Sequence, residues 1–83
     1  MDTNTTKSDR LINAYLDRAF DDKGVTQADV QKILNRSQGY VSERRSCKRS
    51  WAVSELDRIA PLIGLPDALT LMAAAIGSSN ALH

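Results

Sequence analysis

The apolar positions of this chain recur at helical spacing in five segments, and nowhere do they alternate with polar ones over a useful length, as a strand would require. The first segment is 9–22. Leu11, Ile12, Tyr15, Leu16, Ala19 and Phe20 fall at i, i+1, i+4 and i+5 and make one broad stripe. Ser8 is the expected N-cap, with Asp9 in the first turn, and Gly24 is the stop. The second segment, 27–34, opens on Thr26 with Asp29 three residues later, a capping box with Asp in place of Glu. Val25 and Val30 are placed for a hydrophobic staple, and Val30, Ile33 and Leu34 are expected to face inward. Asn35, tolerant of the left-handed conformation, ends it. The third, 38–46, is capped by Ser37 and has only Tyr40 and Val41 as clear apolar residues. It needs its neighbours to hold it. The fourth, 53–63, carries Leu56, Ile59, Ala60 and Ile63 and stops at Gly64, with Trp51 as a lid just before it. The fifth, 67–76, opens on Pro66 and Asp67 and closes at Gly77.

An all-α, compact five-helix domain follows from this pattern. At 83 residues the chain has room for one core. The expected division is an arm at 1–8, a domain at 9–77 and a tail at 78–83, with both ends flexible.

The last segment is apolar on nearly every side. Leu69, Met72, Ala73 and Ile76 suffice to cover a core, which leaves Leu71, Ala74 and Ala75 over. A second apolar face asks for a second partner, and a homodimer through the fifth helix is expected there.

Net charge is +1, which selects no partner, but the charges are unevenly placed. Asp2, Asp9, Asp17, Asp21, Asp22 and Asp29 lie within the first 29 residues, while Arg36, Arg44, Arg45, Lys48 and Arg49 crowd the middle. A basic stripe of that kind is a candidate footprint for an anion. Cys47 is the only cysteine, so no intrachain disulfide forms, which fits a reducing cytoplasm. The opening "MDTNTTKSD" lacks the apolar run of a signal peptide, and the longest apolar run, "LTLMAAAI", is too short to cross a bilayer. A bacterial cytoplasmic location is expected. With His83 as the only histidine, no hydrolytic triad and no zinc site can be assembled. There is no glycine-rich phosphate loop either. Neither an enzyme nor a cofactor is expected.

The two short segments joined at Asn35 form a helix-turn-helix pattern. The N-terminus of the helix capped by Ser37 favours acceptors on phosphates or bases. Its first two turns carry Gln38, Gly39, Ser42 and Glu43. Glutamine can pair bidentately with adenine, and a glycine lets the backbone approach a base edge. The basic loop from Arg45 to Arg49 would meet flanking phosphates. Tyr40 has two readings, a phosphate or thymine-methyl contact and simple packing beside Val41. Glu43 also has two, accepting from cytosine and pairing with a nearby arginine.

The stretch "VTQADVQKIL-NRSQGYVSERRS" with the following "SELDRIAPLIGLP" resembles the lambda-repressor-like (XRE, Cro/CI-type) helix-turn-helix family over about residues 9 to 72. It is most similar to short regulators of actinobacteria and their temperate phages. The resemblance implies a five-helix domain whose third helix enters the major groove. It implies base reading by Gln38, Gly39, Ser42 and Glu43, and phosphate contacts from Thr26, Gln27, Lys48 and Arg49. A C-terminal helix that builds a dimer is common in that family. The chain departs from the family at Gln31 (often alanine), Asn35 (usually glycine), Arg44 (often Ile or Leu), Arg45 (often Leu) and Cys47 (commonly glycine). The stems of Arg44 and Arg45 are expected to cover apolar surface while their charged heads reach out toward phosphates. The function expected is a sequence-specific duplex-DNA-binding regulator, a repressor of phage or mobile-element type that occupies a pseudo-palindromic operator. An antitoxin bound to a toxin, and a protein-interaction module that has lost DNA binding, are the alternatives.

Overall fold

The computed structural model describes residues 6–80, with side chains described as far as Gly77. The described residues are helical: α1 Lys7–Lys23, α2 Gln27–Leu34, α3 Gln38–Arg45, α4 Val53–Ile59 and α5 Ala68–Asn80, with a short 3-10 turn, Ala60–Ile63, continuing α4. α5 packs on both α1 and α4, and α2 packs on both α3 and α4. No strand is present among the described residues.

The caps explain most of the boundaries. α1 starts two residues before the expected point, because Thr6 and not Ser8 is its N-cap. The Thr6 hydroxyl accepts from the Asp9 amide at 3.2 Å, and the Asp9 carboxylate accepts from the Thr6 amide at 2.7 Å. Residues 6–8 of the expected arm are therefore cap and first turn, and residues 1–5 lie outside the described part. Thr26 and Asp29 cap α2 reciprocally, as expected, and Asn35 sits in the left-handed region at φ 56. Ser37 caps α3 by accepting from the Tyr40 amide at 3.2 Å.

The expected fourth helix is two pieces. Pro61 has no amide hydrogen to donate, so the α-helical ladder cannot continue and the chain tightens before the left-handed Gly64. The Asp57 carboxylate accepts from the Ala68 amide at 2.7 Å, and Asp67 accepts from the Thr70 amide at 2.8 Å, so two carboxylates start α5. Gly77 does not close α5, which runs on to Asn80. An isolated glycine costs a helix only about 1 kcal/mol. Of the expected tail, residues 78–80 are thus helical and 81–83 lie outside the description.

The core joins Leu16 and Phe20 of α1, Val30 and Leu34 of α2, Val41 of α3, Trp51, and Leu56 and Ile59 of α4. Ala60, Ile63, Ala68 and Leu71 complete it. Two expectations about facing are overturned. Ile33 is 42% exposed and does not face inward. α5 is turned from the expected facing: Met72 packs against the core as expected, but Leu71 and Ala75 are buried and Ala74 is half-buried, whereas Leu69 is 73% and Ile76 52% exposed, with Ala73 exposed beside them. The assignment of Leu71 and Ala75 to a dimer surface is therefore wrong, while Ala74, the third residue expected there, is partly exposed. Leu71 and Ala75 belong to the packing against the rest of the domain.

No single helix among the described residues is long and apolar enough to cross a membrane. The apolar pair Val53–Ile63 and Ala68–Gly77 is bent by 74°, and Leu56, Ile59, Ala60, Ile63, Ala68 and Leu71 from it are part of the domain core.

Candidate nucleic-acid interface

α3 has one fully buried apolar residue, Val41. One valine contributes about 1.5–3 kcal/mol of burial, too little to hold an eight-residue helix in place. Polar contacts from three other helices supply the rest.

The first set comes from α4. The Tyr40 hydroxyl donates to the Glu55 carboxylate, and the Arg44 guanidinium lies 3.5 Å from the centre of the Tyr40 ring. Arg44 Nε approaches Glu55 Oε1 to 3.5 Å, close enough for an ion pair although no hydrogen bond forms at that nitrogen. Glu55 also accepts from the Ala52 amide at 2.8 Å, so the same carboxylate starts α4 and anchors α3. Burial works against its charge. The Tyr40 hydroxyl, the Ala52 amide and the Arg44 charge outweigh burial and hold the carboxyl below the ordinary glutamate value. The Tyr40 hydroxyl is pushed up, chiefly by its bond to Glu55. This arrangement corrects the expectation for Tyr40 and Arg44. The hydroxyl that was to meet a phosphate is bonded inside the protein, and the Arg44 head turns inward, its side chain only 14% exposed.

The second set joins α1, α2 and the C-terminal end of α3. Arg45 Nη2 pairs with Asp17 at 3.2 Å, Arg45 Nη1 donates to Gln27 Oε1 at 3.5 Å, and its guanidinium lies 5.2 Å from the centre of the Phe20 ring. The stem covers core surface as expected, but the head is shared between Asp17 and Gln27 and does not point into open solvent as a free charge. Gln27 is half-buried and its side-chain oxygen accepts from Arg45.

The third set was not legible as function in the sequence. Asn13 is buried, and its Nδ2 donates to the Arg44 carbonyl at 3.0 Å and to Cys47 Sγ at 3.2 Å. Its Oδ1 accepts from Trp51 Nε1 at 2.9 Å. One turn earlier the Asp9 carboxylate accepts from the Ser50 hydroxyl at 2.8 Å. Asp9, Asn13 and Asp17 lie at i, i+4 and i+8, one polar stripe along α1 beside its apolar stripe. That spacing was the available signal. Trp51, buried and hydrogen-bonded to Asn13, is the core lid it was expected to be.

The loop after α3 is closed tightly. The Lys48 and Arg49 amides both donate to the Glu43 carbonyl, at 2.9 and 3.2 Å. Cys47 has φ 64, in the left-handed region that glycine enters more easily than any residue with a side chain.

The other residues expected at the interface remain outward. Gln38, Gly39 and Ser42 are exposed, and nothing lies within 4 Å of where a side chain on Gly39 would begin. Glu43 is exposed and pairs with Arg49 at 3.8 Å, a long contact between two solvated side chains. Such a pair is worth little and opens easily. Lys48 is exposed, as is Thr26, whose hydroxyl caps α2. Of the eleven residues expected to touch DNA, Gln38, Gly39, Ser42, Glu43, Thr26, Lys48 and Arg49 are outward, and Gln27, Tyr40, Arg44 and Arg45 are half-buried and engaged by other side chains of the domain. Among the described residues no group of three His, Cys, Asp or Glu side chains is placed to hold a metal ion.

Comparison of the chain with protein-family models, with curated proteins and with solved structures finds no match.

Proposed function

We propose that the protein binds duplex DNA sequence-specifically as a transcriptional regulator of lambda-repressor-like (XRE) type. In this reading α2 and α3 are the helix-turn-helix, with α3 in the major groove. One observation carries the reading. α3 is fixed on its inner side by groups from α1, α2 and α4, while Gln38, Gly39 and Ser42 on its outer side are exposed and enter no side-chain hydrogen bond or ion pair among the described residues. A helix rigidly held, bare outward and open at its N-terminal amides is suited to enter a groove and meet base edges. Lys48 and Arg49 flank it with exposed charge for phosphates. Such a regulator would act in the bacterial cytoplasm as a repressor of phage or mobile-element type, by occupying its operator.

A homodimer is part of this proposal, and its surface is Leu69, Ala73 and Ile76. These lie at i, i+4 and i+7 on the exposed side of α5, a continuous apolar seam. The dimer would place two copies of α3 on a pseudo-palindrome with half-site centres about 34 Å apart. The same seam is what a toxin would cover if the protein were an antitoxin. A stable complex with a neighbouring gene product, in place of the homodimer, would favour that second reading.

The test separates reading from holding. Gln38→Ala is expected to weaken operator binding by about 1–3 kcal/mol and leave binding to scrambled DNA nearly unchanged. Lys48→Ala is expected to weaken both alike and to lower the salt slope by about one unit. The operator is found by footprinting the DNA that flanks the protein's own gene. Isotherms on operator and scrambled duplex across a salt series then decide. Absence of salt-dependent binding to any duplex would instead favour a protein-interaction module.

A further inference from the structure

Between the turn before α3 and the start of α4 the surface opens into a cleft of about 320 Å³. Arg36 and Tyr40 come to it from the α2–α3 side, and Ser54, Glu55 and Arg58 come to it from α4. Its charge is unbalanced. Glu55 is the only carboxylate lining it, and that carboxylate already accepts from the Tyr40 hydroxyl and the Ala52 amide and pairs with Arg44. Little of its charge is left for the two arginines on the cleft wall. Arg58 is exposed and has no ion-pair partner among the described residues. The Arg36 guanidinium lies 4.7 Å from the centre of the Tyr40 ring and likewise has no carboxylate partner there. A guanidinium drawn to the face of a ring uses none of its N–H groups as conventional hydrogen-bond donors there, so those turned away from the ring stay free to donate. Tyr40, held by Glu55, is thus a platform that orients Arg36.

We propose that this cleft is a binding site for a phosphate-type oxyanion, gripped by the N–H edges of Arg36 and Arg58 and by the Ser54 hydroxyl. Two guanidiniums and a hydroxyl match several oxygens of one tetrahedral anion, and such charge-assisted bonds are about twice as strong as neutral ones. The inference rests on the DNA reading only for the identity of the occupant. On that reading it is a backbone phosphate next to the bases met by the first turn of α3. The other source of the same chemistry is free inorganic phosphate.

The experiment has two arms. In the first, Arg36→Gln, Arg58→Gln and the double variant are titrated with duplex DNA over a salt series, with Lys23→Gln at the far end of α1 as the control. Both arginines are exposed, so these variants are expected to keep the fold, which circular dichroism checks. The expected result is a salt slope lower by about one unit for each single variant and about two for the double, with Lys23→Gln unchanged. A wild type that binds DNA with a salt slope the three variants leave intact overturns the site and spares the DNA reading. In the second arm, inorganic phosphate is titrated into the wild type and followed by nuclear magnetic resonance, against chloride at matched ionic strength. Saturable shifts at Arg36, Ser54 and Arg58 that the double variant loses establish the oxyanion site even if no duplex binds. If no duplex binds and phosphate produces no such shifts, the proposal fails together with the DNA reading.

Discussion

Helix α3 brings one fully buried apolar residue, Val41, to the core. Helix α5 brings Ala68, Leu71 and Ala75 and still turns Leu69, Ala73 and Ile76 to solvent. The two helices are therefore held by different forces. α5 is held by burial, which is strong and roughly proportional to area but has little directional preference. α3 is held by hydrogen bonds and ion pairs from Asn13, Asp17, Gln27 and Glu55, each modest in net energy and strict in geometry. A groove-entering helix gains from the second arrangement, since directional bonds fix its rotation while its outer face stays polar. A helix that associates with another copy of the chain gains from the first.

Exchanging the roles of two leucines tests the comparison most severely. Leu71→Ala is expected to cost about 2–5 kcal/mol in urea unfolding, because its side chain is buried on every side. Leu69→Ser should change the stability of the monomer by no more than about 0.5 kcal/mol and should shift sedimentation toward monomer. If Leu69 proved the costly one, the facing of α5 described above would be wrong.

A smaller effect is expected on the polar side. Asn13→Ala leaves the buried Trp51 indole N–H without its partner and takes a donor from the Arg44 carbonyl, which keeps the Cys47 amide. The cost expected is about 1–3 kcal/mol. Hydrogen exchange should also speed up over α3 and the loop to Trp51 more than over α5. Uniformly faster exchange would mean that Asn13 supports the core as a whole and not α3 in particular.

The mildest test is one of pH. Glu55 has its carboxyl held below the ordinary glutamate value, so its charge stabilises the fold fully above that value. The contribution is lost as pH falls through the depressed value. The stability difference between the wild type and Glu55→Gln should therefore be constant from neutrality down to the ordinary glutamate range and vanish below it. A difference that persists in acid would assign Glu55 a role in shape and not in charge.

Much of the helical framework was legible in the sequence because its signals are local. Thr26 with Asp29, Asn35, Ser37 and Gly64 act on amides and carbonyls a few residues away, and each sits where its chemistry indicates. The outward face of α3 was legible too. Val41 is the one residue of that helix that must be buried, and helical period then puts Gly39, Ser42 and Glu43 on the other side. The facing of α5 could not be read in this way. Residues 69, 72, 73 and 76 form as good a stripe as 68, 71 and 75 in a helix apolar nearly all round, so periodicity carries no choice between them. Packing against α1 and α4 made the choice. The fate of the arginines was decided at the same level. Arg36, Arg44, Arg45 and Arg49 are alike as charges in a row. Glu55, 11 residues from Arg44, draws it inward, and Asp17, 28 residues from Arg45, holds it in a pair at the domain's edge, while Arg36 and Arg49 stay exposed. Helix caps and periods belong to the chain because they depend on neighbours in sequence. Which face of α5 is buried and which arginine stays outward depend on residues that only the fold brings together.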